Sequence, residues 1–361
     1  KDDFWPFCFS WNRIKHTLHF YTQWILVNCG YKKNFWIYDC TNYWKCVSFI
    51  FNFKLKKLNI FIDEMRKIGF TGQCPNGDIS ALTDQINLCK EANVDSLEVS
   101  IFETDVIVGK KINLPELKIL KDTLLNKGVG YTVHGELSVN LLDQENFEDH
   151  KEVLKRDIEV SGEINATHLV THFGQTTNKI YENKNLYESL LEKQKECYAE
   201  MGEYAKKHGV VLAIENLFPF KLDYYAPLPS EISKQLKEID HPNIKCCLDI
   251  SHGYINCTFR NAHFLNEINE MAPLSEHIHM HDSFGNIERI WTYIDSEATS
   301  YGQGDLHLPL GWGDIPFNKI FEEVKFPENL NLNFELPERY LKYFKENIEK
   351  ARGLISLQEK I

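Results

Sequence analysis

The sequence of 361 residues lacks the patterns that mark several common classes of protein. It contains no uninterrupted apolar run of about 18 residues, the length that a membrane-spanning helix requires, and it does not open with the basic, apolar and small-residue succession of a secretory signal. Its ten cysteines form no CxxC pair and no paired zinc-finger spacing. We therefore expect a cytoplasmic protein without a membrane partner, whose cysteines are buried free thiols in a reducing compartment.

Positive charge is also scarce. The chain has 40 Lys and Arg against 52 Asp and Glu, a net charge of −12. Residues 1–64 hold nine basic and five acidic residues, which leaves 31 basic against 47 acidic residues, a net charge of −16, for residues 65–361. Because nucleic-acid affinity comes largely from Lys and Arg that displace counterions from phosphates, this balance argues against nucleic acid as a partner.

Residues 1–64 differ from the remainder of the chain in composition. They hold five of the seven Trp and nine of the 23 Phe, but one Gly, one Pro and no Met, and the first Met is Met65. We interpret them as an atypical N-terminal extension that is either not native or not functional. The alternative is an extra layer or lid on a domain formed by residues 65–361.

After Met65, short β-like runs alternate with longer amphipathic stretches such as 186–207, where apolar residues recur at three-and-four spacing. The predicted strands are 66–70, 96–100, 130–134, 167–172, 210–215, 244–249, 277–281 and 331–335. Eight strand–helix repeats favour an α/β protein of the (β/α)8 TIM barrel class, a parallel eight-stranded barrel with its helices outside. An open doubly wound sheet usually has fewer strands, and no GxGxxG follows the first strand.

Six of the apolar runs end at, or close to, a residue that can bind a metal ion. These residues are His134, His172, Glu215, Asp249, His279 and Glu335. An apolar strand gains nothing from a terminal imidazole, and an unpaired buried carboxylate is costly, so the repetition indicates function. Because the carboxyl ends of all strands in such a barrel meet at one mouth, we expect these side chains to share a site.

Two histidine-containing segments add further candidates. In KCCLDISHGY, His252 follows Asp249 by three positions, which suits either one metal-binding cavity or a helix-capping Asp with a surface His. In HIHMHDSFG, the residues His277, His279 and His281 lie on one face of a strand, and at least one of them is predicted to be a ligand. His281, at the strand end, is predicted to contact the substrate.

The segment GDLHLPLGWGDIPF places Asp305 and His307 two residues apart, on one side of an extended stretch. This spacing fits either a metal site or an ordinary loop with a hydrogen-bonded Asp. The preceding stretch 283–304 is too long for a simple strand–helix connection and is predicted to be an active-site loop.

Taken in order, these motifs resemble the xylose isomerase-like barrels over roughly residues 66–350. This family includes sugar isomerases and epimerases and also abasic-site nucleases of the endonuclease IV type. In the nuclease branch nine ligands hold three zinc ions, and the resemblance gives each a counterpart in this chain. The counterparts are His134, His172, Glu215, Asp249, His252, His279, Asp305, His307 and Glu335.

The chain departs from the nuclease pattern around this ligand set. His281, Phe284 and Leu306 stand where the nucleases usually carry Asn, Lys and a basic residue, and the loop from Ser283 to Asp305 is longer than theirs. These departures remove charge that would face phosphate and leave the metal ligands intact. They count against DNA as the substrate and do not count against the metal.

In the isomerase and epimerase branch, one divalent ion (Zn, Mn, Co or Mg) is sufficient. Its ligands correspond to Glu215, Asp249, His279 and Glu335. The resemblance implies that Glu215 and Glu335 move a proton through an enediolate as acid and base, in exchangeable roles, while His252 holds the substrate.

We therefore predict an isomerase or epimerase of a sugar or sugar phosphate, with one to three divalent ions per chain. The alternatives are a zinc-dependent abasic-site endonuclease and a barrel that binds metal or sugar without catalysis. Homo-oligomerisation is compatible with either enzyme.

Overall fold

The computed structural model describes residues 66–358. The predicted extension at residues 1–64 lies outside the described residues, so the interpretation of that segment stays a prediction. Among the helices within 66–358, none combines the length and the apolar character that spanning a bilayer would need.

Eight parallel strands close into a barrel. They are β1 (Lys67–Gly72), β2 (Ser96–Ser100), β3 (Gly130–His134), β4 (His168–His172), β5 (Val211–Glu215), β6 (Ile244–Asp249), β7 (Ser275–Met280) and β8 (Asn331–Phe334). Each strand pairs with its neighbours in sequence, and β1 closes the barrel by pairing with both β2 and β8. The predicted (β/α)8 barrel is confirmed.

The strand bounds differ from the prediction by one to two residues at several ends. The largest consequence is that His281 and Glu335 come directly after β7 and β8 and are not part of them. The backbone N–H of Glu335 still donates to the carbonyl oxygen of Met280 on β7 at 3.4 Å, so the end of the sheet continues to hold this residue at the mouth.

Helices surround the barrel. They are α1 (Leu82–Ala92), α2 (Leu114–Leu124), α3 (Phe147–Glu163), α4 (Asn178–Glu182), α5 (Lys184–Lys207), α6 (Pro229–Ile239), α7 (Ile250–Arg260), α8 (Phe264–Met271), α9 (Asp295–Tyr301), α10 (Phe317–Glu323) and α11 (Phe344–Gln358). The amphipathic segment predicted at 186–207 is α5. Gly209 follows this helix with φ 73°, a left-handed conformation that glycine adopts without steric cost.

The main hydrophobic core lies between the strands and the helices, because alternate strand residues point outward. On β2, Leu97 and Val99 belong to this core, while Glu98 between them points into the barrel. Six cysteines of the described residues are free, and all six are buried, as expected for small apolar side chains.

The barrel interior is divided by polarity. Val170, Ala213 and Cys247, on β4, β5 and β6, form a small apolar cluster of their own. Polar side chains fill the opposite half, where Glu98 and His277 meet in complete burial. Buried polar groups on this scale need partners within the protein.

Candidate metal centre

Glu215, at the end of β5, lies beside two histidines from the two preceding strands. Its Oε2 is 3.3 Å from Nε2 of His134, at the end of β3, and 3.5 Å from Nε2 of His172, at the end of β4. The pairing register sets His172 beside Glu215, so three successive strands deliver the three side chains to one place. We call these three residues the first group.

A second set of donors converges on one atom, Nδ1 of His279. This nitrogen is 3.3 Å from Oε1 of Glu215, 3.4 Å from Oε2 of Glu335 and 3.8 Å from Oδ2 of Asp249. The four residues, which we call the central group, come from β5, β6, β7 and the residue after β8. The structure therefore brings together the four side chains that the sequence assigned to a single ion; the assignment itself stays a prediction.

Asp305, His252 and His307 form a third group, next to the loop 283–304. Asp305 is its centre. Its Oδ2 is 3.1 Å from Nε2 of His252 and 2.7 Å from Nε2 of His307. His307 has a φ of 46°, an uncommon value for a residue with a side chain, and its Nδ1 is 3.2 Å from the carbonyl oxygen of Glu335. A residue held in such a conformation at a cluster of donors is consistent with a functional position.

Asp249 caps a helix, as one of its two sequence interpretations expected, while its role as a metal ligand stays a prediction. Its Oδ1 accepts a hydrogen bond of 2.6 Å from the backbone N–H of His252, so it caps α7, while its Oδ2 faces the central group. Asn216 fixes the backbone of Asp249 by accepting from its N–H and donating to its carbonyl oxygen, both at 2.9 Å. The alternative of a surface histidine fails, because His252 is buried.

His281 was predicted to contact the substrate. It is completely buried, its Nε2 is 2.9 Å from Oδ2 of Asp249, and its ring stacks on that of His307 with centroids 4.1 Å apart. His281 thus bridges the central and third groups. A role in substrate binding stays a prediction for this residue.

The electrostatics of the groups follow from burial and close contact. Burial by itself would raise the pKa of the Glu215 carboxyl, but His279 and His134 hold that pKa well below its ordinary value. Burial lowers the pKa of His172 to about 4, so its imidazole is neutral near pH 7, the form that binds metal ions. For His307, burial is outweighed by Asp305 and Glu335, which raise the pKa to about 9.

The charges of this centre fit a bound cation. Glu98, Glu215, Asp249, Asp305 and Glu335 have only histidines as ion-pair partners within residues 66–358. Oε2 of Glu215 and Oδ1 of Asp305 are buried without a hydrogen bond. Uncompensated buried carboxylates are costly, and mixed imidazole and carboxylate donors suit Zn²⁺, Mn²⁺, Co²⁺ or Mg²⁺.

Glu98 was missed by the sequence reasoning, although the strand that carries it was predicted. Its Oε2 is 2.9 Å from Nε2 of His277, and its Oε1 is 3.2 Å from Nε2 of His279. The available signal was a lone acid inside the strand SLEVS, on the face shared by Ser96 and Ser100. Glu98 lies in mid-strand, so a pattern of strand-end residues does not include it.

A cavity of about 540 Å³ opens beside His172. Its other lining residues include Leu137, Phe220 and Tyr224, which supply apolar and aromatic surface, and Gln175, whose side-chain oxygen is buried without a hydrogen bond. Ligand sites commonly combine such surface with a few polar groups. The cavity therefore gives a small polar molecule access to His172 of the first group.

A closed parallel barrel with buried histidines and carboxylates at the carboxyl ends of its strands defines a class of barrel enzymes and binding proteins. Within that class, the sequence matches the family of xylose isomerase-like TIM barrels over residues 86–355, and the chain belongs to this family. No curated protein matches the chain.

Solved structures share the fold at low sequence identity. A D-tagatose 3-epimerase-like protein is 18% identical, with 81% of this chain and 98% of that chain covered and a TM-score of 0.58. A xylose isomerase-like TIM barrel protein from Mycobacterium smegmatis, in complex with magnesium, is 16% identical, with coverages of 82% and 99% and a TM-score of 0.57. A D-allulose 3-epimerase from Methylomonas sp., in complex with D-allulose, is 12% identical, with coverages of 81% and 97% and a TM-score of 0.54.

Proposed function

We propose that this protein is a divalent-metal-dependent isomerase or epimerase of a sugar or sugar phosphate. The observation that carries the proposal is the convergence of Glu215, Asp249 and Glu335 on one nitrogen of His279. Sugar epimerases that share the fold, one of them bound to D-allulose, support the choice of substrate class.

The two glutamates are the residues that move the proton. Oε1 of Glu215 and Oε2 of Glu335 lie 3.3 Å and 3.4 Å from the same imidazole nitrogen of His279, so a substrate carbon held beside this point has a carboxylate within reach from two strands. A bound divalent ion would polarise the substrate's carbonyl and the adjacent hydroxyl. Either glutamate can remove the proton while the other returns it.

The cavity beside His172 suits a sugar. Phe220 and Tyr224 offer aromatic faces for the C–H surface of a sugar ring, and the unpaired oxygen of Gln175 can accept a hydrogen bond from a hydroxyl. Lys221 also lines the cavity and could contact a phosphate or carboxylate of the substrate.

The test is proton exchange at carbon. A panel of aldoses, ketoses and their phosphates is incubated in D₂O with protein loaded with Mn²⁺, Co²⁺, Mg²⁺ or Zn²⁺, and deuterium incorporation next to the carbonyl is followed by NMR. We expect incorporation with at least one sugar, and its disappearance on chelation. Absence of exchange with every sugar and every ion would contradict the proposal.

The third group favours a second candidate, a zinc-dependent phosphodiesterase of the abasic-site nuclease type. Asp305 lies within 3.1 Å of both His252 and His307, so a further ion could be held outside the central group. Three zinc ions per chain and cleavage of a duplex with an abasic site would support this function. One ion per chain, with no salt-sensitive duplex binding, would support the isomerase.

We further propose that residues 65–361 suffice for this function, because the barrel and all three groups lie within them. Expression from Met65 should yield a folded protein with the metal content of the full chain. Loss of folding or of metal binding on truncation would show that residues 1–64 contribute to the domain.

A further inference from the structure

Glu98 is a buried carboxylate with a complete set of partners. Its side chain is fully inaccessible to solvent and accepts hydrogen bonds from Oγ1 of Thr71 at 3.0 Å and from Nδ2 of Asn333 at 2.9 Å. Oγ1 of Thr132 at 3.4 Å and two imidazoles, His277 at 2.9 Å and His279 at 3.2 Å, complete its surroundings. A carboxylate in such a place is costly unless every lone pair is used, so these contacts fix its orientation.

The two ring nitrogens of His279 face different partners. Nδ1 faces Glu215 and Glu335 of the central group, and Nε2 faces Glu98. A neutral imidazole carries one N–H, and an ionised carboxylate only accepts hydrogen bonds. With a cation at the central group, Nδ1 of His279 would offer its lone pair to the ion, and the single N–H of the neutral ring would lie on Nε2, toward Glu98.

From this arrangement we propose that Glu98 is a positioning residue, which sets the tautomer and ring orientation of His279 for metal binding through Nδ1. The inference rests on the metal centre of the proposed function. It assigns a role to a residue in the middle of β2 that has no place among the ligands of any of the three groups. Carboxylates that accept the second N–H of a metal-binding histidine commonly tune metal affinity in this way.

The packing beneath Glu98 explains how it is held. Nδ2 of Asn333 donates to Thr71 at 2.6 Å and to Glu98, so one amide on β8 connects the hydroxyl on β1 to the carboxylate on β2. Gly69 makes room for that amide, because a Cβ at this position would lie 2.6 Å from Oδ1 of Asn333. Three strands thus fix one carboxylate.

A different use of Glu98 would be direct ligation of a second, deeper ion together with Cys247 and His277. Donor atoms of Cys247, His277 and His279 do lie within 4.8 Å of one another. However, both oxygens of Glu98 already accept hydrogen bonds, Oε1 from Thr71 and Asn333 and Oε2 from Thr132, which favours positioning over ligation.

The experiment compares Glu98→Gln with a matched control, Glu276→Gln. Glu276 is also a strand carboxylate beside an imidazole, His168 at 3.5 Å, but its cationic partner is Lys245 at 3.2 Å and it belongs to none of the three groups. Affinity for Zn²⁺ and Mn²⁺ is measured by competition with a chromophoric chelator on protein stripped of metal. We expect Glu98→Gln to weaken binding about 10- to 100-fold and Glu276→Gln to leave it unchanged. Equal affinities for wild type and Glu98→Gln would overturn the inference.

Two measurements on unsubstituted protein keep the inference testable if Glu98→Gln does not fold. Long-range ¹H–¹⁵N NMR of ¹⁵N-histidine protein loaded with Zn²⁺ should show His279 protonated on Nε2, and protonation on Nδ1 would overturn the inference. With Co²⁺, a thiolate charge-transfer band from Cys247 would indicate the deeper ion and would also overturn it.

The same data separate this inference from the proposed reaction. If wild type binds metal tightly but exchanges no sugar proton, the reaction is wrong, and the assignment of Glu98 still depends on the Glu98→Gln affinity. If sugar exchange occurs and that affinity is unchanged, the reaction stands and the role of Glu98 is wrong. If stripped wild type binds none of the ions, both fail.

Discussion

A carboxylate lies beside an imidazole at both ends of the barrel, but the other charged partners of that carboxylate differ. At the amino-terminal end, Glu276 meets His168 at 3.5 Å, and Lys245 at 3.2 Å supplies a permanent positive charge. At the mouth, Glu215 and Glu335 meet His279 in almost complete burial, and no Lys or Arg pairs with either glutamate within residues 66–358. The first arrangement contains a permanent positive charge, whereas the second has only histidines as partners.

This difference shows how a metal centre can be distinguished from an ordinary buried ion pair. A structural pair recruits a cationic side chain and reaches neutrality within the protein. The mouth instead collects acids from several strands and leaves Oε2 of Glu215 and Oδ1 of Asp305 without hydrogen bonds. Divalent cations would compensate these carboxylates, and we predict that this end of the barrel depends on added metal.

The largest expected effect comes from removing one proton-transfer group at the mouth. Glu335→Gln keeps the shape of the side chain but cannot accept a proton, so we expect kcat for sugar proton exchange to fall about 10²- to 10⁴-fold. Glu276→Gln, at the other end, should leave kcat unchanged. The measurement is steady-state exchange by NMR at saturating metal. A wild-type kcat for the Glu335→Gln enzyme would show that Glu335 does not transfer the proton.

The second-largest expected effect is the loss of folding stability when metal is removed. If free metal stands at about 1,000 times its dissociation constant, stripping it costs about 4 kcal/mol of unfolding free energy. Denaturant unfolding with and without a chelator measures this loss. Glu276→Gln should show the same loss as wild type, because its ion pairs lie outside the mouth. Identical unfolding curves with and without chelator would contradict the idea that the mouth depends on a cation.

Within the mouth, a substitution in the third group should lower the rate of sugar exchange less than a substitution in the central group. Asp305→Asn retains the hydrogen-bonding shape but loses the charge that His252 and His307 share. For an isomerase that works in the central group, we expect sugar exchange to fall less than about tenfold, or 1.4 kcal/mol of activation free energy. Elemental analysis should show loss of any ion held there. Complete loss of sugar exchange would show that the third group takes part in the isomerase reaction.

Strand ends were readable from the sequence because an apolar run that stops at an acid or histidine breaks the expected pattern. The barrel places those ends together by its topology alone, so Glu215, Asp249 and His279 could be assigned to one site before any distance was known. The periodicity of α5 was readable for the same reason, since its buried face repeats at helical spacing.

The contacts of Glu98 could not be read in this way. Its partner His279 is 181 residues away in sequence, and the orientation of a side chain in mid-strand depends on the register across the whole barrel. The left-handed conformation of His307 and the short helix α9 within the predicted loop 283–304 are likewise set by tertiary contacts. Such contacts override local propensity, which is weak in both segments.

The smallest expected effect lies at the amino-terminal end of the barrel and concerns pH. Burial acts to raise the pKa of Glu276, but His168 and Lys245 outweigh it and lower that pKa to about 2. A carboxylate with a lowered pKa stabilises the folded state above its unfolded pKa, and this contribution disappears as the pH falls toward about 2. Because Glu276 is only half-buried, solvent screening limits the effect, and we expect Glu276→Gln to cost less than about 1 kcal/mol at pH 7. Urea unfolding of chelator-treated wild type and variant between pH 7 and pH 3 should show a difference that shrinks as the pH falls. A difference that grows toward low pH would mean that the Glu276 pair does not stabilise the fold. Glu276 could then no longer serve as the example of a stabilising ion pair with which the mouth is compared.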